Sequence, residues 1–533
     1  MPIARRTLLA AGLAAPGLAA ANLAAPGLAA AQAPRVLKFV PQSDLGVLDP
    51  VWSSAYVVRN HGLMVFDMLY GMDARLRIQP QMAEGHEVSE DGLTWTIRLR
   101  EGLRFHDGAP VLARDCVASI RRFNARDGLG QSLAAATEEL AAVDDRTLRF
   151  RLKRRFPLLT YALGKPGSPV CVIMPERLAE TDPFRQVTDM VGSGPYRFLP
   201  GERVAGARVA YARFEDYAPR PGPASFTAGG KQALFDRIEW QVLPDPATAA
   251  AALRAGEVDW WEAPTFDLLP LLARDRKLAL SQWEPPGFIS TLRFNQLHPP
   301  FDNPAIRRAV LPALSQADYM TAVAGAVPDG WREGVGFFAP GTPMASDAGM
   351  TALTGPRSLE AARRALAEAG YRGETVVLLA PADFPSLKAL GDIGADLLAK
   401  IGFRVDYQLT DWGTMLQRLV RQEPPAQGGW NAFHTSWSDL DQLDPAVHQY
   451  LRGNGRAARP GWPENERLEA LREAWLAEEG EDGQRRIAAE IQRQAFEDLP
   501  YIPLGQMRPR FAHKRELTGF TGGFAIFWGV RRA

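Results

Sequence analysis

The chain has 533 residues, of which 46% are hydrophobic and 23% are charged. This composition is typical of globular proteins and excludes a disordered, fibrous or polytopic membrane protein. Lys and Arg together number 61, as do Asp and Glu, so the formal net charge is zero. Because nucleic-acid binders usually carry a basic excess, we expect no nucleic-acid partner. At about 150 residues per domain, the length predicts two to four domains.

The first 33 residues have the three-part pattern of an export signal. Arg5 and Arg6 precede a long stretch of Ala, Leu and Gly that ends in small residues, which is how such signals are built. The paired arginines fit a twin-arginine signal and an ordinary secretory signal alike. Cleavage after Ala33 and cleavage before Gln32 both fit, so the mature chain begins near residues 32–34. No later stretch approaches the roughly 18 apolar residues of a membrane-spanning helix, and we expect an exported, soluble protein.

The chain has two cysteines, Cys116 and Cys171. An oxidising compartment would permit a disulfide between them, but a chain of this length does not need one. Their spacing fits neither a metal site nor a CxxC motif. We predict two buried free thiols.

The first half of the chain alternates between apolar and polar residues, as half-buried antiparallel strands do. Residues 93–100 (LTWTIRLR) place Leu93 and Ile97 on the same face, and residues 147–153 and 237–243 repeat the pattern. These segments predict hairpin-rich sheets.

The second half has the pattern of a βαβ unit. Residues 375–380 form a continuous apolar run, residues 386–401 are amphipathic, and residues 403–409 are strand-like. A right-handed crossover makes the two strands parallel. A further helix is predicted at residues 358–369, and residues 464–498 are predicted to form two helices broken around Gly480 and Gly483.

Motifs of common enzyme classes are missing. The sequence has no HExxH, P-loop, GxGxxG after a strand, or GxSxG elbow. The nearest match, residues 192–194 (GSG), is followed by Pro195 where a nucleophile helix would begin, so a turn before a strand is favoured. The seven histidines are scattered, and none pairs with another at i+4. We expect no metal and no cofactor.

Residues 430–444 (WNAFHTSWSDLDQLD) combine four aromatic or imidazole rings with three carboxylates. Indole rings give a large, rigid contact surface, and a carboxylate in a partly desolvated pocket can hold an ammonium group. The alternative is a solvated acidic turn flanked by core aromatics. An EF-hand calcium loop is disfavoured, because the spacing lacks the required Gly and bidentate Glu.

Residues 91–110 (DGLTWTIRLREGLRFHDGAP) resemble a signature segment of the solute-binding proteins of ABC importers that handle dipeptides, oligopeptides and nickel chelates (family 5, extracellular). The resemblance extends over residues 35–530. Further matches follow in the order of that family: residues 49–50, 192–196, 244–259, 292–310, 368–371 and 502–504.

This resemblance implies an α/β, two-lobe fold of the periplasmic-binding-protein type II, with an extra subdomain inserted in lobe I. Hinge crossings between the lobes are expected near residues 293–295 and 499–504. The implied division is an export signal (1–33), lobe I (34–75), the inserted subdomain (76–190), lobe I again (191–294), lobe II (295–500) and a return to lobe I (501–533).

The resemblance also implies a ligand site. In peptide-binding relatives, an aspartate in the loop that corresponds to residues 430–444 holds the α-ammonium group of the peptide. This role maps to Asp441, with Asp439 as the rival. Leu440 and Leu443 depart from the Gly-rich form usual in the family. The other expected ligand-binding residues are Trp437, Ser438, His434, Tyr56, Ser54 and Asn295.

The implied function is that of a periplasmic, monomeric solute-binding component that captures a peptide-like ligand between two closing lobes. Its partner is an inner-membrane ABC permease with its ATPase. The alternative within the family is a binder of a nickel chelate, opine or glycoside, for which His434 and His448 are the residues of interest. The alternative from another class is an exported hydrolase that uses two of Asp439, Asp441 and Asp444 as an acid/base pair.

Overall fold

The computed structural model describes residues 34–283 and 287–533. The export signal predicted at residues 1–33 lies outside this range. Residues Arg35–Ala533 form one compact unit. Within the described residues, no helix combines the length and the apolar character needed to cross a membrane.

Lobe I is built on a seven-stranded sheet that is assembled from distant parts of the chain. Strand Val36–Val40 is central, and it runs parallel both to Arg237–Gln241 and to Trp260–Trp261. Its Phe39 packs against the aromatic rings of both neighbouring strands. The sheet order is Leu278–Gln282, Arg510–Lys514, Trp260–Trp261, Val36–Val40, Arg237–Gln241, Arg208–Arg213 and Tyr196–Phe198.

Lobe II is built on a six-stranded sheet that contains the predicted βαβ unit. Strands Thr375–Pro381 and Arg404–Thr410 are parallel, and helix Pro385–Ile401 connects them. The helix ends at Gly402, whose φ of 118° suits glycine. The prediction for this unit is confirmed. The sheet order is Trp331–Arg332, Tyr501–Met507, Phe288–Phe294, Ala432–Ser438, Thr375–Pro381 and Arg404–Thr410.

A four-stranded antiparallel sheet forms a separate layer in the first half of the chain. The strands predicted at 93–100 and 147–153 lie in it, as Thr94–Leu99 and Thr147–Leu152. Helices Ala113–Arg126 and Gly128–Ala136 cover it. Cys116 and Cys171 are both buried and unbonded, as predicted. The other two strands are Ala83–Val88 and Thr137–Ala142.

The remaining elements are short strand pairs and surface helices. The helix pair predicted at 464–498 is present, but it breaks before Gly480, and Gly483 lies inside the second helix. The strand pairs are Tyr70–Met72 with Ile78–Pro80, Ala224–Ser225 with Ala228–Gly229, and Leu517–Thr518 with Arg531–Arg532. The helices are Tyr56–Val65, Leu159–Gly164, Glu176–Ala179, Pro246–Ala255, Leu269–Ala273, Pro304–Arg308, Gln316–Ala324, Thr351–Thr354, Leu359–Glu368, Trp412–Leu419, Glu466–Ala477 and Glu481–Asp498.

The chain crosses between the two large sheets at places other than those expected. It leaves the lobe I sheet after Gln282 and enters the lobe II sheet at Phe288. It returns between Met507 and Arg510. The crossings expected at 293–295 and 499–504 are wrong, because strands Phe288–Phe294 and Tyr501–Met507 pair with each other inside lobe II. The other domain bounds remain predictions.

The apolar core has two main parts. One belongs to lobe I, and the other runs continuously from the four-stranded sheet into lobe II. Leu440 and Leu443 are exceptions, because they follow a lobe II strand yet are buried in the lobe I core.

Candidate functional site

Two elements meet where lobe II strand Ala432–Ser438 ends. The strand pairs antiparallel with Phe288–Phe294, so that Ser438 lies opposite Phe288. A short 3₁₀ turn, Asp439–Asp441, follows directly. Lobe I helix Tyr56–Val65 begins at the same place, since the Tyr56 ring lies 5.8 Å from that of Phe288. The aspartates of the predicted loop therefore lie against lobe I.

Tyr56 makes a direct hydrogen-bonded link between the lobes. Its hydroxyl donates to Oδ2 of Asp441 at 2.7 Å. The same hydroxyl oxygen accepts a hydrogen bond from the backbone N–H of Ser438 at 2.9 Å. One lobe I side chain thus fixes both the end of a lobe II strand and the carboxylate that follows it.

Asp441 is a buried carboxylate whose charge is only partly compensated. Burial raises its pKa, while the charge of Arg59, the Tyr56 hydroxyl and the charge of Lys165 act in the opposite direction. No Lys or Arg nitrogen of the described residues lies within 4 Å of Asp441. The segment at Gly167 passes very close, since a Cβ there would lie 2.7 Å from Oδ1 of Asp441. The space around the carboxylate is therefore narrow.

Arg59 interacts electrostatically with the Asp441 carboxylate and was not anticipated from the sequence. Its guanidinium carbon lies 3.7 Å from the centre of the Phe524 ring and 4.8 Å from that of Tyr56. Burial lowers its pKa, and its Nε and Nη1 have no hydrogen-bond partner among residues 34–283 and 287–533. The signal was present in the sequence, because Arg59 lies three residues after Tyr56 and so on the same face of a helix.

Asp439, the rival candidate, faces lobe II instead. Its Oδ2 accepts a hydrogen bond from Nε2 of Gln506 at 2.5 Å. Its Oδ1 is buried and has no partner within the described part of the chain. Burial raises the pKa of Asp439 well above its usual value.

Asp444 stabilises the turn that follows. Its Oδ1 accepts hydrogen bonds from the backbone N–H groups of Ala446 and Val447. Its Oδ2 accepts one from the hydroxyl of Tyr161 at 2.5 Å. The three aspartates therefore face three different neighbours.

Trp437 and Ser438 lie beside these carboxylates. The Trp437 ring contacts that of Tyr450 edge-on, with ring centres 4.9 Å apart. The Ser438 hydroxyl oxygen accepts a hydrogen bond from the N–H of Leu440 and so stabilises the 3₁₀ turn. The structure brings Trp437, Ser438, Asp439, Asp441 and Tyr56 to one place.

His434 does not reach this place, although the sequence pattern predicted it as a ligand-binding residue. It lies four residues before Ser438 in the same strand, and its side chain packs against Tyr319 and against helix Pro385–Ile401 at Gly394. Burial lowers its pKa to about 3. His448 is also a core residue, with Nε2 2.9 Å from both the Phe337 carbonyl and the Tyr501 hydroxyl. Among the described residues, no group of three His, Cys, Asp or Glu side chains is placed to hold a metal ion.

Asn295 also lies away from the aspartates. It follows the far end of strand Phe288–Phe294. At the usual rise of a strand, the seven residues from Phe288 to Asn295 span roughly 20 Å. Its side chain donates to the Trp430 carbonyl and accepts from the N–H of Leu297. Asn295 therefore ends a strand rather than lining the site.

Ser54 lines a neighbouring cavity of about 310 Å³. The cavity lies between the Trp52–Ser54 segment, the start of helix Gly128–Ala136 and a lobe II loop. Three arginines, Arg126, Arg452 and Arg459, lie in its wall, and sequence patterns did not identify them. Its other lining residues are Trp52, Gly128, Gln131, Pro169, Gln449, Asn454, Ala457, Ala458 and Pro460.

Known proteins are similar to this chain in sequence and in fold. A probable peptide ABC transporter periplasmic-binding protein (y4tO) from Sinorhizobium fredii is 35% identical over the whole of both chains. The structure of AgaA from A. tumefaciens R10, in complex with agropinic acid, matches with a TM-score of 0.78 at 22% identity, over 93% of this chain and 99% of that one. The structure of DppA from Helicobacter pylori, in complex with peptide STSA, matches with a TM-score of 0.78 at 21% identity, over 93% of this chain and 98% of that one.

The predicted fold class is therefore confirmed. The family model described as "Bacterial extracellular solute-binding proteins, family 5 Middle" matches residues 77–457. That match covers more than half of the chain. The protein belongs to the bacterial extracellular solute-binding proteins of family 5.

Proposed function

We propose that this protein is the periplasmic binding component of an ABC importer and that its ligand is a peptide. The Sinorhizobium fredii relative, named as a probable peptide transporter component, supports this proposal over the full length of the chain. The observation that carries it is the buried Asp441 carboxylate, which lies where lobe I helix Tyr56–Val65 meets lobe II.

An α-ammonium group suits Asp441. A buried carboxylate is costly unless it is paired, and this one has a hydroxyl and distant cations as partners but no ion pair within 4 Å in the described residues. A peptide ammonium group would add charge-assisted hydrogen bonds, which are stronger than neutral ones. In this proposal Asp441 binds the amino end, and Trp437 and Ser438 flank it.

Ligand binding then favours the closed arrangement of the lobes. Tyr56 comes from lobe I and Asp441 from lobe II, so a ligand that binds beside them contacts both lobes. A ligand shifts an equilibrium only by the difference in its affinity for the two states, and contact with both lobes supplies that difference. The permease and its ATPase would recognise the closed form of a monomeric binding protein.

This role requires no catalysis. An acid/base pair needs two carboxyl groups that face one substrate bond. Asp439 instead faces Gln506, Asp441 faces Tyr56, and Asp444 stabilises a turn and bonds Tyr161. We therefore propose a binding protein and not a hydrolase.

A thermal-shift screen of residues 34–533 tests the ligand class. The screen uses di-, tri- and longer peptides, nickel chelates, opines and glycosides. A ligand at a hundred times its Kd adds about 2.7 kcal/mol to the free energy of unfolding. Stabilisation by peptides supports the proposal, while a shift with an opine, chelate or glycoside alone would replace the ligand and keep the fold.

Asp441→Ala tests the site itself. We expect it to weaken the binding of free-amine peptides by tenfold or more, about 1.4 kcal/mol, and to leave N-acetylated peptides unaffected, because only the former carry an ammonium group. Calorimetric titration measures both. Asp439→Ala is the matched control in the same turn and should retain the preference for free amines. An equal loss for both peptide forms would refute the assignment of Asp441.

A further inference from the structure

The cavity beside Ser54 has an unusual charge balance. Of its thirteen lining residues, three are arginines, and none is Asp or Glu. Its walls come from lobe I, from the layer that carries helix Gly128–Ala136, and from the lobe II loop that follows Gln449. A partly enclosed space with three guanidinium groups and no carboxylate is suited to an anion.

Only one of the three arginines has an acidic partner. Arg452 is neutralised by Glu469, with Nε and Nη2 both 3.0 Å from its carboxylate oxygens. Arg459 makes no side-chain hydrogen bond or ion pair within residues 34–283 and 287–533. Arg126 donates only to the Trp52 carbonyl, at 2.9 Å. Two positive charges are therefore left without a counter-charge.

These two arginines are close enough to repel each other. Burial lowers the pKa of Arg126, the like charges of Arg459 and Arg122 lower it further, and the charge of Asp49 acts in the opposite direction. Arg122 itself is paired with Asp49 at 2.6 Å. The uncompensated pair is thus Arg126 and Arg459, and an anion between them would relieve the repulsion.

The surrounding structure holds the Arg126 side chain and the backbone of the loop that carries Arg459. The Arg126 guanidinium lies 5.0 Å from the centre of the Phe184 ring. Arg293, buried in lobe II, donates to the backbone carbonyls of Tyr450, Arg459 and Pro460 and so fixes the loop that carries Arg459. The Arg126 guanidinium is therefore held by its neighbours, while for Arg459 the loop backbone is fixed and an anion would order the side chain.

The cavity is adjacent to Asp441 through two short segments. Ser54 lines the cavity, and Tyr56, two residues on, bonds Asp441. Pro169 lines the cavity, and Ser168 beside it interacts with Asp441 through its backbone.

We propose that Arg126 and Arg459 form a subsite for a carboxylate of the ligand, so that the protein selects peptides or other solutes that carry an acidic group. This inference rests on the proposed binding function and narrows its substrate class. A carboxylate accepts bidentate hydrogen bonds from a guanidinium group. Loss of one such pair is expected to weaken binding by about tenfold.

Matched ligands test this inference. The probes are alanine tripeptides that carry Glu or Gln at one position, their C-terminal amides, and glutarate as a carboxylate without a peptide bond. We expect the Glu peptides to bind about tenfold more tightly than the Gln peptides in calorimetric titrations. The amides distinguish a side-chain carboxylate from a C-terminal one, because a C-terminal subsite would instead discriminate each acid from its amide.

The variants are Arg459→Gln and Arg126→Gln, and the matched control is Arg456→Gln. Arg456 lies on the same loop and carries the same charge, but it does not line the cavity. The first two variants should lose the preference for acid, and the control should retain it. Arg459→Gln removes no side-chain hydrogen bond of the described structure, so we expect this variant to fold. It therefore tests the subsite even if Arg126→Gln proves unstable.

The outcomes separate this inference from the peptide proposal. If the Glu peptides, the Gln peptides and their amides all bind with equal affinity, the subsite is overturned and the peptide function stays intact. The same holds if the preference for acidic peptides survives in both arginine variants. Binding of glutarate that depends on Arg459, without binding of any peptide, would support the subsite and overturn the peptide ligand. Binding of none of the probes would overturn both.

Discussion

Asp439 and Asp441 show how two aspartates in one tight turn acquire different roles. The Asp441 carboxylate faces Tyr56 of lobe I, and the Asp439 carboxylate faces Gln506 of lobe II. Both are buried, so burial raises the pKa of both. Only Asp441 lies at the contact between lobes, which supports its assignment over that of its rival.

Asp439→Asn is expected to stabilise the protein at neutral pH. The pKa of Asp439 is raised in the folded state, so the folded protein holds its proton more tightly than the unfolded chain does. Stability is therefore lost as the pH rises from the pKa of the unfolded chain, about 3.9, through the raised pKa of the folded state. The variant avoids this loss, which is about 1.4 kcal/mol for each pH unit that separates the two pKa values. Urea unfolding across this pH range measures the difference between variant and wild type.

Asp411→Asn is the contrasting control. Asp411 caps helix Trp412–Leu419 by accepting a hydrogen bond from the N–H of Thr414. Hydrogen bonds from Thr414 lower its pKa, so the ionised form is stabilising above the pKa of the unfolded chain. The substitution keeps an acceptor for the Thr414 N–H but removes the negative charge at the helix N-terminus, so we expect a small loss of stability at neutral pH and no gain. If both variants changed the free energy of unfolding at neutral pH in the same direction, this account of Asp439 would be contradicted.

The sequence predicted some site residues and missed others for a physical reason. The family resemblance implied Asp441, Trp437 and Tyr56, and the structure brings them together. Arg126 and Arg459 lie 333 positions apart, and only the packing of the helical layer against lobe II places both in one cavity. His434 was misplaced because the motif does not show how far along the strand the site extends. His434 lies four residues before Ser438, and its ring packs against helix Pro385–Ile401.

At the scale of elements, helix Pro385–Ile401 packs directly on strand Ala432–Ser438. The contact point is Gly394, where a Cβ would lie only 2.2 Å from Cε1 of His434. A glycine here lets the helix approach the sheet, and the buried imidazole fills the remaining space. The βαβ unit was predictable because its apolar periodicity is local. The positions where the chain crosses between the lobes were not predictable from the sequence, because the central strands of both lobes are similarly apolar.

Gly394→Ala should destabilise lobe II by about 1 to 3 kcal/mol, because the added methyl group overlaps the His434 ring. The free energy of unfolding in urea is the measurement. Gly413→Ala, at an exposed position of helix Trp412–Leu419, is the matched control, where the nearest atom to the added Cβ is an Asp411 carboxylate oxygen at 3.3 Å. It should be neutral or slightly stabilising, as helix propensity favours Ala. If His434→Ala does not relieve the Gly394→Ala defect in a double variant, the overlap is not its cause.

At the scale of the whole molecule, the aspartate turn also joins the lobes by apolar contact. Leu440 and Leu443 are 1% and 3% exposed and belong to the lobe I core. A Cβ on Gly523 would lie 3.3 Å from a Leu440 methyl group. This explains why the turn is not Gly-rich, since its leucines stabilise the contact between the lobes.

Leu440→Ala should weaken ligand binding by about tenfold or more. Removal of a buried leucine side chain costs about 2 to 5 kcal/mol, and here part of that cost falls on the closed arrangement alone, so the bound state loses stability relative to an open one. Titration with whichever ligand the screen identifies gives the Kd. Leu416→Ala, at a leucine that is 46% exposed, should leave the Kd unchanged. An unaltered Kd in Leu440→Ala would show that the leucine does not stabilise closure.

The arrangement of strands in the lobe I sheet has a consequence for the order of folding. Strand Arg510–Lys514 lies between Trp260–Trp261 and Leu278–Gln282, so this sheet is incomplete until the last residues of the chain are available. The lobe II sheet draws only on residues 288–507. Pairing between such distant segments is intrinsically slow. Because the lobe II sheet also needs strand Tyr501–Met507, neither lobe of a nascent chain can complete its central sheet until residues 501–514 have been made.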